Sequence, residues 1–156
     1  MEDAMKYECK IIEEAEQPVI TVRTVTAVEN LPAFFGDAYG KIVRYLAELR
    51  EAPAGMPFAA YYNMDMKALD VEAGFPVAKV LPEKDDMKSA SIAAGKFAIT
   101  LHIGSYDSVG PAYDALAAFV QQQGYEPTGI AYEYYLNDPN EDPKVEPQTE
   151  IRFPLK

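Results

Sequence analysis

Glu72-Ala73-Gly74-Phe75-Pro76-Val77 and Glu150-Ile151-Arg152-Phe153-Pro154-Leu155 read as two versions of one strand. Working outward, Tyr61-Tyr62 precedes the first as Tyr134-Tyr135 precedes the second. Further back, Ile20-Thr21-Val22-Arg23 matches Ile99-Thr100-Leu101-His102. The offset between copies is 79 at the start, 73 in the middle and 78 at the end, a dip that loops of different length would cause. The repeat spans residues 6–81 and 87–155 of a single expected domain, 1–156. Two copies are too few for a solenoid, which generally needs three or more. They imply a pseudo-two-fold axis with a seam between the halves, and such seams favour ligand clefts.

Each copy has the same order of elements. Tyr7, Cys9 and Ile11 alternate with polar residues as a strand does. Glu13 to Pro18 turns the chain, and Val19 to Val28, rich in Val and Thr, reads as the partner strand. Asn30 offers a helix cap and Pro32 suits a first turn. Phe35, Tyr39, Ile42, Leu46 and Leu49 then form one apolar helical face, which Pro53 ends. Phe58 to Met64 and Val71 to Leu81 read as two strands, and Pro82 to Asp86 as a linker. Ser89 to Ala94 and Phe97 to Ile103 read as a hairpin around Gly95. Ser108 is a candidate cap for a second helix, whose stripe is Val109, Tyr113, Leu116 and Val120 and whose end is Gly124. Thr128 to Leu136 and Gln148 to Leu155 complete the copy. The expected fold is α+β: two pseudo-symmetric β-β-α-β-β halves with mainly antiparallel sheet and a ligand groove between them.

Composition narrows the function classes. The chain has 156 residues, 49% of them hydrophobic, enough to bury a core. With 14 basic and 25 acidic residues its formal charge is −11, which disfavours nucleic acid and favours cationic small molecules. Cys9, the only cysteine, excludes an intrachain disulfide and a cysteine metal site. No signal-peptide core and no membrane-length apolar run is evident, so no membrane partner and a cytoplasmic location are expected.

Most candidate chemistry dissolves on inspection. His102, the single histidine, lies between Leu101 and Ile103 and is expected to point away from the apolar face that they define. It has no ligand constellation around it, so a structural or surface role is the reading, and no metal is expected. Gly104-Ser105-Tyr106 lacks the second glycine of a nucleophile elbow. No phosphate-binding loop or dinucleotide fingerprint is present, so no cofactor is expected. Asn137 to Asp142 is acidic but lacks EF-hand spacing, and reads as a solvated loop.

Glu133 stands apart, in Ile130-Ala131-Tyr132-Glu133-Tyr134-Tyr135-Leu136. Ala131, Glu133 and Tyr135 share one strand face; Tyr132, Tyr134 and Leu136 share the other. One reading is a glutamate on a solvated sheet face. The other is a carboxylate at the floor of an aromatic cleft, its pKa raised by desolvation among Tyr132, Tyr134 and Tyr135. The chain has 11 tyrosines and no tryptophan. Tyrosines either simply pack or wall a site for amphipathic, cationic ligands.

Several of these stretches together resemble the GyrI-like domain family: Tyr132-Glu133-x-Tyr135-Leu136-Asn137-Asp138-Pro139, both Phe-Pro strands, Leu31-Pro32-Ala33-Phe34-Phe35-Gly36 and Gly104-x-Tyr106. The resemblance covers nearly the whole chain. It implies tandem SHS2-like modules around a groove, with a second-half strand glutamate, matched here by Glu133, contacting the ligand. The family includes effector-binding domains of multidrug-sensing transcription regulators, a DNA gyrase inhibitor, and stand-alone hydrolases of cyclopropane-containing genotoxins. With no room for a helix-turn-helix before Tyr7, this chain reads as a stand-alone version.

Three functions follow as expectations. The first is binding of bulky, apolar, cationic small molecules in an aromatic groove with a central glutamate. The second is hydrolysis of cyclopropane-containing or other strained electrophilic xenobiotics, with Glu133 as general base and Tyr135 or Tyr106 as proton donor. The third and weakest is protein inhibition through an acidic surface. Binding is favoured because only one catalytic candidate is visible. By the alignment of the halves, Phe58, Ala60 and Tyr62 match Ala131, Glu133 and Tyr135, so these six are expected to line the groove. Ala60, opposite Glu133, would leave room for a ligand. Tyr39 and Tyr113 either reach the groove or pack beneath the sheet.

The charge balance yields one direct test. Duplex DNA should show no retardation by micromolar protein in a gel-shift titration; a salt-sensitive shift would contradict the charge argument.

Overall fold

The computed structural model describes residues 7–137 and 145–156. The expected loop residues Asp138 to Asp142 lie outside them. Eight strands and two helices are described: β1 (Cys9–Glu14), β2 (Gln17–Thr26), α1 (Leu31–Glu48), β3 (Phe58–Tyr61), β4 (Leu69–Pro76), β5 (Lys88–Ile92), β6 (Gly95–Ile103), α2 (Gly110–Gln122), β7 (Ala131–Tyr135) and β8 (Gln148–Pro154). Single 3₁₀ turns, Val28–Asn30 and Tyr106–Ser108, precede the helices. The class is α+β, with antiparallel pairing inside each half.

The chain divides into two compact units. The first, Ala15–Ala94, holds a sheet of order β3-β4-β2-β5 with α1. The second holds β1-β6-β8-β7 with α2. Neither expected hairpin forms. β1 pairs with β6, setting Ile11 beside Ala98, and β2 pairs with β5, setting Val19 beside Ala90. The reason lies in the links. Two-residue hairpins need Asn-Gly, Asp-Gly or Gly-X in positive-φ turns, whereas Ala15-Glu16 and Ala93-Ala94 join these strands. β1 instead becomes an edge strand of the second unit.

In the first unit the α1 stripe buries Ala38, Ile42, Tyr45 and Leu46 against Ile20, Val22, Ala73 and Phe75. Asn30 sits at the N-cap position but makes no capping bond; its amide reaches Thr26 Oγ1 at 3.3 Å. In the second unit Ala112, Leu116 and Val120 of α2 pack on Ala98 and Ile151. Ser108 does not cap α2 either, since Val109 occupies that position.

Register fixes which side of each sheet a residue faces. β3 pairs Phe58 with Gly74 and Ala60 with Glu72. These lie on the face opposite the one α1 covers, because Ala73 and Phe75 belong to the α1 core. β7 pairs Glu133 with Ile151 and Tyr135 with Thr149, on the face that α2 covers. Phe58 is therefore the counterpart of Tyr132, which faces Arg152, and Ala59 is the counterpart of Glu133. The expected match of Ala60 to Glu133 is off by one residue. A slip of one inverts every side chain. Thr21, facing Gly74, likewise corresponds to Ile99, facing Arg152, rather than to Thr100.

Gly74 is a place where nothing larger fits. A Cβ there would come within 2.6 Å of the Ile20 carbonyl oxygen and of Thr21 Cγ2, and 3.1 Å from the Phe58 ring. The backbone oxygen cannot step aside. Gly36, in α1, has nothing within 4 Å of such a Cβ. Gly74→Ala should therefore lower stability by about 1–3 kcal/mol. Gly36→Ala should raise it by roughly 0.5–1 kcal/mol, as glycine-to-alanine changes do in exposed helix. Paired urea denaturation curves check both signs.

Candidate functional site

The second unit gathers its chemistry on the side of the sheet that α2 covers. β7 sends Glu133 and Tyr135 to that side, and α2 supplies Tyr113 one turn before its buried Leu116. The Tyr113 hydroxyl donates to Glu133 Oε2. The Tyr135 hydroxyl donates to Glu133 Oε1 at 3.0 Å. Tyr106, in the turn before α2, stands edge-on to Tyr135 with ring centroids 5.7 Å apart. The Tyr113 ring packs on Phe153 at 5.7 Å. A carboxylate is thus held by two phenols, each oxygen with its own donor, in an aromatic surround.

Burial pushes the Glu133 carboxyl up from its ordinary value. The hydroxyls of Tyr113 and Tyr135, then the nearby His102 ring, pull it partly back. Desolvation wins, because the charge leaves water while two neutral donors replace only part of its hydration. The cause differs from the sequence expectation in detail. Tyr132 and Tyr134 share the opposite face, so the phenols that touch the carboxylate are Tyr113 and Tyr135.

His102 lies inward, not outward. It is 3% exposed, while Leu101 and Ile103 are 40% and 54% exposed. The alternation is as read, but the apolar pair faces out, because α2 covers the histidine's side of β6. Its Nε2 lies 3.0 Å from the Ser105 carbonyl and 3.2 Å from Ser108 Oγ; its Nδ1 lies 2.9 Å from the Tyr7 hydroxyl. Opposite His102, Thr149 is 1% exposed, and its hydroxyl has no hydrogen-bond partner among the described residues. Sequence reasoning passed over Tyr7, Ser108 and Thr149. The signal available was parity: Thr149 on β8 and His102 on β6 sit one and two strands from β7, on the same face as Glu133.

The remaining expected residues divide. Ala131 is buried beside Glu133's face of β7. Tyr39 packs beneath its own sheet: its hydroxyl donates to the Phe58 carbonyl at 2.7 Å, and its ring lies 5.6 Å from both Phe35 and Phe75. Phe58 and Ala60 are fully buried on the face away from α1. Tyr62 belongs to a separate cluster in the first unit, donating to Glu72 Oε1 at 2.5 Å. There Thr21 also donates to Glu72 at 2.7 Å, and Arg23, paired with Asp70 at 2.8 Å, lies over the Tyr62 ring. Because Phe58 and Ala60 pair with Gly74 and Glu72, they lie on the opposite face of their sheet from the one that Ala131, Glu133 and Tyr135 take in theirs.

Among the described residues no cluster of histidine, cysteine and carboxylates has metal-site geometry. Among the described residues, no helix is long and apolar enough to cross a membrane.

Comparison with solved structures gives a consistent fold. The chain is similar to EcmrR in its DNA complex, at 24% identity and TM-score 0.75 over 97% of this chain, but it spans only 58% of that protein. The C-terminal domain of EcmrR matches at 23% identity and TM-score 0.71, with 96% and 98% of the two chains covered. SAV2435 bound to tetraphenylphosphonium matches at 13% identity and TM-score 0.66, with 96% and 94% covered. A hydrolase from Listeria innocua matches at 13% identity and TM-score 0.70, with 96% and 92% covered. At these identities the likeness is one of fold. No curated protein matches the sequence. The model of the GyrI-like small molecule binding domain matches residues 7–156, and the chain belongs to that family.

Proposed function

We propose that the chain binds bulky lipophilic cations, with Glu133 as the polar anchor of the site. The observation that carries this is the half-buried carboxylate gripped by Tyr113 and Tyr135. Both phenols fix its rotamer, so little ordering remains to be done when a ligand arrives. Burial has removed much of its water, so a cation brought alongside interacts at low local dielectric. Tyr106 and Tyr135 present ring surfaces on which a soft cation can rest. The formal charge of −11 raises the local concentration of cations further. The fold neighbour SAV2435 bound to tetraphenylphosphonium supplies a suitable probe.

Titration of tetraphenylphosphonium by calorimetry tests this reading. Glu133→Gln removes the charge at nearly constant shape and should weaken binding by about 1–3 kcal/mol, roughly five- to 150-fold. The pH dependence has a defined sign. The cation prefers ionised Glu133, so affinity should rise with pH through the raised carboxyl value and level off above it. Stability moves the other way. A raised carboxyl favours the fold at acid pH, and that contribution is lost as pH climbs through the raised value. Glu133→Gln should therefore melt no lower than wild type at neutral pH while binding more weakly. Equal affinity in the two proteins would sink the proposal.

A second reading rests on the same contact. A carboxyl raised by burial is suited to accept a proton from water, and Tyr135 stands 3.0 Å away to return one. Water would attack a ring carbon of a strained electrophile, the ring bond would break, and its electron pair would be protonated by the phenol. Mass spectrometry of a cyclopropane electrophile after long incubation decides between the readings. Under the binding proposal the compound returns unchanged with both wild type and Glu133→Gln; turnover by wild type alone establishes the hydrolase.

A further inference from the structure

Beside Glu133 lies a second polar network that the binding proposal does not use. Its centre is His102. A carbonyl oxygen can only accept, so the 3.0 Å contact with Ser105 requires a proton on Nε2. In the neutral ring Nδ1 is then the acceptor, and the Tyr7 hydroxyl donates to it at 2.9 Å. The ring is held from β1's side by one bond and grips the loop after β6 by the other.

That loop is built to be gripped. Gly104 takes a φ of +134° as the chain leaves β6, a conformation that side chains resist. Its N–H donates to the Pro147 carbonyl at 2.9 Å. The Ser105 carbonyl then turns back to the histidine and also accepts from Ser108 Oγ at 2.8 Å. The Ser108 N–H closes the turn on the same carbonyl at 3.1 Å. Tyr106 follows Ser105 directly. It is 46% exposed, yet its ring stands edge-on against Tyr135. Holding a large exposed side chain in one place has an entropic cost. The converging bonds on Ser105 fix the backbone from which Tyr106 projects, and the Tyr135 ring receives it.

We propose that His102 is a positioning residue for the Glu133 site: by pinning the Ser105 carbonyl it fixes Tyr106 against Tyr135, and so sets the aromatic wall beside the carboxylate. A leucine would fill the same space beneath α2. What the histidine adds is two directional bonds, one to Tyr7 just before β1 and one to the loop. The positioning effect on ligand runs through Tyr106 and Tyr135, and is distinct from the electrostatic pull of the ring on the Glu133 carboxyl. This inference rests on the reading of Glu133 as ligand anchor, and its test has an arm that does not.

The first arm is amide hydrogen exchange across residues 104–108 without ligand. His102→Leu should speed exchange at Ser108, and His102→Gln, whose amide nitrogen reaches the Nε2 position, should restore protection. Tyr7→Phe, a milder change should the leucine variant not fold, should speed the same amides. The second arm is a double-mutant cycle in tetraphenylphosphonium affinity. His102→Leu and Tyr106→Ala should each weaken binding about tenfold, and the double variant should be no worse than either. Unchanged loop exchange in His102→Leu, or losses that multiply in the double variant, overturns the proposal. Failure of wild type to bind the probe refutes the ligand reading instead, and the exchange arm then decides alone whether His102 pins the loop.

Discussion

The constraint on which the site depends is the register of β7 on β8. Glu133 faces Ile151, and Ile151 belongs to the core beneath α2. A carboxylate is thereby placed on the covered side of a sheet, where its charge is costly. Two consequences follow at once. The carboxyl is pushed up by burial, and it must find donors; Tyr113 from the helix and Tyr135 from its own strand provide them. A register shifted by one residue would have sent the charge to the other face and left Tyr132 and Tyr134 under α2. The scaffold spends folding stability to keep a poorly solvated anion in place, a pattern more typical of sites than of cores.

The two halves show how one scaffold can carry or lack a carboxylate at the same place under its helix. Tyr39 and Tyr113 occupy corresponding helix positions, and each packs on the phenylalanine of its Phe-Pro strand, Phe75 or Phe153. In the first unit the strand position opposite the tyrosine is Ala59, so the Tyr39 hydroxyl turns to the Phe58 carbonyl. In the second it is Glu133, and the Tyr113 hydroxyl becomes a carboxylate donor. The aromatic packing is common to both; the charge is not. The first unit keeps its own carboxylate, Glu72, on the opposite face, where Thr21 and Tyr62 hold it.

Strand partnership follows a similar logic. Antiparallel neighbours in sequence pair as hairpins only when the link can reverse the chain tightly. The links between β1 and β2 and between β5 and β6 lack glycine or asparagine at the turn, and both strands find partners distant in sequence. For β1 that partner is β6, which brings Tyr7 to His102.

Much of the fold was legible locally. The stripes of α1 and α2, the eight strands and the doubled Phe-Pro strand carry their periods in the residues themselves, and the face of Glu133 shared with Ala131 and Tyr135 follows from alternation alone. Glu133 stood out because a glutamate amid large aromatics is a local anomaly, and the family resemblance covers nearly the whole chain. What the sequence could not decide is which side of a strand is inside. Leu101 and Ile103 look like core and are exposed; His102 looks like surface and is buried. Alternation gives two faces, and only the helix that packs on one of them chooses between them. The same holds for the pairing of Ala60 against Ala59 with Glu133, for β1 with β6, and for Tyr113 as a donor. Each is a contact between residues far apart in the chain, set by register and packing, which no local period encodes.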